Sequence, residues 1–199
     1  TSSQAAMGPE CDGFLPAAGG SMYEHAFATM FIAECLRVSR KNMRIAPTLD
    51  KAVTKAVKLI VEAQHDAGGW RYRPLQAGDI TSSSCQVLAL GAAQRAEVAV
   101  PKRTFAKAAD FFLTCQHESG GFTYLPMAGA PSVTRTAACA NSLHLAGKAE
   151  SKELKKALGY MRTQPEPAAA SAHYHFYALF MAQVMSREDG KAADKWRAD

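Results

Sequence analysis

The 199-residue sequence has no run of 18 apolar residues, no CxxC pair and no large excess of either charge. The first absence argues against a helical membrane span. The second, together with an odd set of cysteines scattered as Cys11, Cys35, Cys85, Cys115 and Cys139, argues against a disulfide framework or a zinc ribbon. Four of these cysteines lie in apolar stretches and read as small buried hydrophobes, while Cys11 sits among Gly and Pro and reads as exposed. Gly-x-Ser-x-Gly, the Walker pattern and the dinucleotide glycine fingerprint are also missing, which removes the usual signatures of serine hydrolases and nucleotide-binding enzymes. Thr1-Ser2-Ser3-Gln4 has neither the basic nor the apolar region of a leader, and such a small polar start fits a piece cut from a longer protein. The compartment stays open.

With 48% apolar and 21% charged residues, the chain has the composition of a globular domain with a sizeable core. The net charge of +5 is modest. Its densest cationic run, Arg37, Arg40, Lys41 and Arg44, falls where a helix should end, and cations suit a solvated helix C-terminus. No nucleic-acid reading motif or basic-aromatic stripe accompanies it, so nucleic acid is not an expected partner.

What is present is a repeat. Lys55-Ala56-Val57-Lys58-Leu59-Ile60-Val61-Glu62-Ala63-Gln64-His65-Asp66-Ala67-Gly68-Gly69-Trp70 returns 52 residues later as Lys107-Ala108-Ala109-Asp110-Phe111-Phe112-Leu113-Thr114-Cys115-Gln116-His117-Glu118-Ser119-Gly120-Gly121-Phe122. A degenerate third copy runs through Lys156-Ala157, Tyr160-Met161 and Gln164, and an earlier one survives as Asp12-Gly13-Phe14. Apolar residues at helical spacing, Val53, Ala56, Ile60 and Ala63 and their counterparts Phe105, Ala108, Phe112 and Cys115, place amphipathic helices at about 48–64, 103–116 and 151–163. Thr48 is the expected N-cap of the first, Pro101 the entry to the second, and the Gly-Gly pairs the stops. Between them, Met22–Val38, Ser82–Ala96, Thr134–Ala146 and Ala172–Met185 are apolar on most faces and read as internal helices, with a short further segment at Lys191–Arg197. His65 and His117 recur with the repeat and read as structural.

The repeat resembles the QW motif of squalene-hopene and oxidosqualene cyclases, Gln64 to Trp70 fitting it fully and Gln116 to Phe122 with Phe for Trp. Thr81 to Leu90 is similar to an inner helix of the same superfamily, which includes protein prenyltransferase β subunits. The resemblance covers about residues 12–186 and implies an all-α fold: an α/α toroid of antiparallel helical hairpins in two concentric layers. It also implies a structural role for Gln64, Gly68, Trp70, Gln116, Gly120 and Phe122, tying neighbouring outer helices. A complete toroid of this superfamily has more helices than the seven or eight read here. The expectation is one domain over residues 1–199, the C-terminal portion of a longer toroid or one completed by a second copy, with an irregular segment at 1–20.

The superfamily's chemistry is harder to place. Neither the Asp-x-Asp-Asp of cyclases nor the Asp-Asp-x-x-Asp of diphosphate-binding synthases occurs, and the thioester core of complement-type toroids is missing. Against the prenyltransferase zinc site, Asp79 keeps the Asp, while Thr81 stands for the Cys and Arg135 for the His. A guanidinium does not ligate zinc, so no metal or cofactor is expected. Asp79 would cap the helix beginning near Ile80, or pair with Arg135. His25, Asp79, Arg135, His173 and Tyr177 are the candidates to line a ligand cavity, with Tyr23, Glu24, Tyr174 and His175 beside them and the histidines read as satisfied structural groups.

The leading expectation is a non-catalytic toroid that binds an apolar small molecule or a protein partner, a second copy included. The alternatives are an isoprenoid-processing enzyme with a diverged site, or a carbohydrate-active (α/α) barrel using Glu24 and Asp79.

Overall fold

The computed structural model describes residues 13–15, 20–165, 167, 171 and 173–187, which form helices joined by turns, bends and irregular segments with a few isolated bridges. Seven helices follow in order: α1 (Met22–Ser39), α2 (Ala46–Glu62), α3 (Ile80–Arg95), α4 (Lys102–Thr114), α5 (Val133–Leu145), α6 (Lys152–Thr163) and α7 (Tyr174–Met185). The fold is all-α. Cys11, the Asp12 of the early repeat fragment, most of segment 1–20 and the Lys191–Arg197 segment lie outside the described residues. The chain divides into two compact units, Thr1–Phe111 and Phe112–Asp199. In the first, α1 packs on α2 and α3; in the second, α5 packs on α6 and α7.

Helices α2, α4 and α6 each bury one stripe. Val53, Ala56, Val57 and Ile60 are enclosed on α2, Phe105, Ala108 and Phe112 on α4, and Leu154, Ala157 and Met161 on α6. Helix α2 starts earlier than expected. Its N-cap is Ile45 and Pro47 occupies the first turn, where a missing N–H costs nothing, so Thr48 lies inside the helix. Helix α3 is different in kind, with thirteen of its sixteen residues buried, and its many Ser and Ala side chains let neighbours approach on every side. Helix α1 is not enclosed as expected: Phe27, Phe31 and Val38, on one stripe, stand 36%, 68% and 75% exposed, because nothing among the described residues covers that face. Cys85, Cys115 and Cys139 are buried, whereas Cys35 is only half-buried.

The joint between consecutive repeats is a backbone contact. Gly68, at φ +96°, lies so close to the Lys107 carbonyl that a Cβ would fall 2.0 Å from its oxygen. Gly13 meets the Lys55 carbonyl and Gly120 the Lys156 carbonyl in the same way, each at 2.6 Å and each at φ +90°. These are the Lys-Ala positions that open successive copies. A glutamine side chain reinforces two of the joints. Gln64 Nε2 donates to Gly68 O at 2.8 Å and to Thr104 O at 3.0 Å, in the first turn of α4. Gln116 Nε2 donates to Gly120 O at 3.1 Å and to Glu153 O at 2.9 Å, in the first turn of α6. The ring that follows is buried each time, and Trp70 Nε1 donates to Ile60 O at 2.7 Å.

Substituting Gly68 by Ala must move a backbone and strain a left-handed residue. A loss of more than about 1 kcal/mol is expected in urea unfolding. Gly159→Ala, in α6 with open space around it, should instead gain up to about 1 kcal/mol.

Candidate functional site

The candidate residues fall into two groups, one in each unit. His25 and Asp79 sit at the N-terminal ends of α1 and α3 in the first unit; Arg135, His173 and Tyr177 sit at the starts of α5 and α7 in the second.

Asp79 is fully buried and is the N-cap of α3, the place that Ser21 holds before α1 and Ser132 before α5. Its Oδ1 accepts from Ser82 N–H at 2.8 Å and from Thr81 Oγ1 at 2.8 Å, and its Oδ2 accepts from Ser82 Oγ at 3.0 Å. Arg71 Nε lies 3.9 Å from Oδ2. A buried carboxylate survives only with such partners, and a capping carboxylate also gains from the helix dipole. The Thr81 hydroxyl donates a hydrogen bond to Asp79 and accepts in turn from the Tyr23 hydroxyl. Burial pushes the Tyr23 phenol well above its ordinary range, so it is a donor at neutral pH. Outside this chain the Tyr23 and Tyr72 rings meet at 5.9 Å, with the Arg71 guanidinium 5.7 Å from the Tyr72 ring centre. Arg71 and Tyr72, directly after Trp70 in the sequence, were not among the sequence candidates.

His25 is buried, and both ring nitrogens are engaged. Nδ1 accepts from Leu15 N–H at 3.2 Å, and Nε2 lies 3.1 Å from Ala56 O, to which it must donate. The residue stands four positions after its N-cap, as Ser83 and Thr136 do after theirs. Those hydroxyls accept from Trp70 N–H at 2.8 Å and Phe122 N–H at 3.0 Å. Sequence comparison at one fixed offset misses this position because the loops before α1, α3 and α5 differ in length. Burial lowers the His25 pKa to about 4.

Glu24 is likewise a capping group: its carboxylate accepts the Ser21 N–H, and hydrogen bonding from the Ser21 side chain, then from that N–H, lowers its pKa. Arg135 Nη2 donates to Ala130 O at 2.8 Å, while its Nε is buried without a partner. His173 and His175 are exposed, His173 as the N-cap of α7 and His175 with the Tyr174 ring 6.0 Å away, whereas His25 is enclosed. Tyr177 is 2% exposed, with the Tyr174 ring 6.2 Å away. His65 and His117 each order a turn, Nδ1 accepting from Ala67 N–H and Ser119 N–H respectively. Arg40, read as a solvated cation, is tied down instead, donating to the Ala96 carbonyl and to Asp50 at 2.6 Å. Among the described residues no three His, Cys, Asp or Glu side chains are grouped to hold a metal ion, and no helix is long and apolar enough to cross a membrane.

The His25 geometry sets a pH dependence. Its folded pKa lies below the ordinary 6.5, so the fold favours the neutral ring. The associated stability is complete above about pH 6.5 and is lost as the pH falls toward 4. An NMR titration should find the ring still neutral at about pH 5.5; a half-protonated ring there contradicts the assignment.

Comparison of the sequence with models of known protein families and with curated proteins returns no match.

Proposed function

We propose that the chain is a non-catalytic α/α-toroid repeat protein of the terpenoid-cyclase and protein-prenyltransferase type, serving as a binding scaffold for a protein or an apolar ligand. The observation that carries this reading is the occupation of the two buried candidate side chains. Asp79 caps a helix in register with two serines, and His25 bridges two backbone groups in register with Ser83 and Thr136. A general acid or base needs a free valence toward substrate, and a ligand site for zinc needs thiolate or neutral imidazole where Thr81 and Arg135 stand.

Supporting the toroid reading are the alternation of one-stripe helices α2, α4 and α6 with the more widely buried α3 and α5, and the glycine–carbonyl joint recurring at Lys55, Lys107 and Lys156. The glutamine ties to the following helix are the kind that the cyclase resemblance implies. Supporting a binding role are the exposed Phe27, Phe31 and Val38 on one face of α1, beside the Glu34 carboxylate that pairs with Arg37 and Arg95, since exposed apolar side chains rimmed by polar groups mark interaction sites.

The test is turnover. Incubation with prenyl diphosphates, a linear triterpene and oligosaccharides should give no product above a no-protein control, and Asp79→Asn should change only stability, by about 1–2 kcal/mol. Product formation by the unaltered chain that Asp79→Asn abolishes would overturn the reading in favour of a diverged enzyme.

A further inference from the structure

The bond from Leu15 to His25 ties residues 13–15 to the first unit. Gly13 meets the Lys55 carbonyl as Gly68 meets that of Lys107 and Gly120 that of Lys156, which puts Leu15 in the register of Trp70 and Phe122. The backbone N–H at this place is bonded each time by a side chain near the start of the following helix. Ser83 Oγ accepts from Trp70 N–H, Thr136 Oγ1 from Phe122 N–H, and His25 Nδ1 from Leu15 N–H at 3.2 Å. Two copies therefore use a hydroxyl, which does not titrate between pH 5 and 8. The first uses an imidazole, the one side chain that ordinarily does.

The tautomer decides what protonation does. Nε2 faces Ala56 O at 3.1 Å and carries the proton, so Nδ1 holds the lone pair that takes the Leu15 N–H. A proton added to Nδ1 sets two N–H groups against each other and breaks that bond. The Ala56 bond survives, because Nε2 donates in both forms. Phe14, 7% exposed, stacks on the same ring with centroids 5.4 Å apart, so residues 13–15 both bond the imidazole and shield it from water. On the elements around the ring, Glu24 of α1 is turned to the Ser21 N–H, Lys55 precedes Ala56 on α2, and Asp79 before α3 accepts from Thr81 and Ser82; residues 13–15 carry no charge. None of these charged groups bonds the imidazole, and what acts on it is burial, opposed by the Ala56 bond.

We propose that residues 13–15 form an acid-released strap: protonation of His25 detaches Leu15 and lifts Phe14, while the joints at Trp70 and Phe122 stay closed. The closed strap favours the neutral ring, holding its pKa at about 4 against the ordinary 6.5. Opening returns the ring to water and its ordinary pKa. The strap is therefore held fully above about pH 6.5 and loses hold as the pH falls toward 4. Between about pH 7.5 and about pH 5 the opening equilibrium rises by about 30-fold. The device depends on the His25 bonds alone and not on whether the chain is catalytic.

Amide hydrogen exchange of the full chain, corrected for the intrinsic effect of pH on exchange, tests the strap. The protection of the Leu15 N–H should fall about 30-fold over that interval, approaching about tenfold per pH unit below pH 6 as one proton is taken up per opening. The protection of the Trp70 and Phe122 N–H groups should change less than about threefold. In His25→Asn, whose amide oxygen accepts at any pH, the Leu15 dependence should disappear. Should that variant not fold, the contrast between Leu15 and the other two amides in the unaltered chain decides alone. Protection lost at all three amides together, Leu15 protection that does not respond to pH, or a Leu15 response that persists in His25→Asn would overturn the proposal.

Discussion

The contact between a glycine and the lysine carbonyl of the next copy governs much of this structure. At Gly68 and Lys107 the backbones are so close that no other residue fits, and the positive φ needed to turn the chain there is one that glycine alone adopts without strain. Gln64 is held beside this contact, bonding both the Gly68 carbonyl and the first turn of α4. The turn, the glutamine and the buried ring of Trp70 therefore act as one unit. Gly120, Gln116 and Phe122 rebuild it with another loop and another ring.

That constraint reaches into the polar interior. Once the repeat turn is fixed, its backbone N–H groups are buried near the start of the next helix and need acceptors. Ser83 and Thr136 supply hydroxyls for this, and His25 supplies an imidazole. The histidine does more than the hydroxyls, since its second nitrogen reaches Ala56 O in α2 and joins a third segment. Asp79 satisfies three donors at the start of α3 and draws Arg71 toward it, so the Tyr23–Thr81–Asp79 chain reads as an architectural network with a charged core. Two residue types common in active sites are here explained by the backbone they serve.

The helices and the repeat were legible in the sequence because both are periodic. The stripe Val53, Ala56, Ile60 is written at helical spacing and is buried as such. The Gly-Gly positions identified the turns, although their approach to the lysine carbonyls depends on three-dimensional proximity that no spacing encodes. The start of α2 was misplaced because Thr48 has good capping chemistry while Pro47 is equally suited to a first turn, and the proline prevailed. His25 could be nominated from its residue type, yet its equivalence to Ser83 and Thr136 was hidden by unequal loops and by the change from hydroxyl to imidazole. The exposure of α1 was illegible for another reason: composition gives the apolar character of Phe27, Phe31 and Val38 and says nothing of whether a neighbour covers them.

If the repeat joint is the governing element, its two glutamines should matter alike despite their different surroundings. The most direct measurement is the urea unfolding free energy of Gln64→Met and Gln116→Met. These substitutions keep the length of the side chain and remove its donor. Each should cost on the order of 1–3 kcal/mol, because each leaves two backbone carbonyls without the amide that served them. A loss within about 0.5 kcal/mol of zero at either site would mean that the joint is not what holds successive copies together.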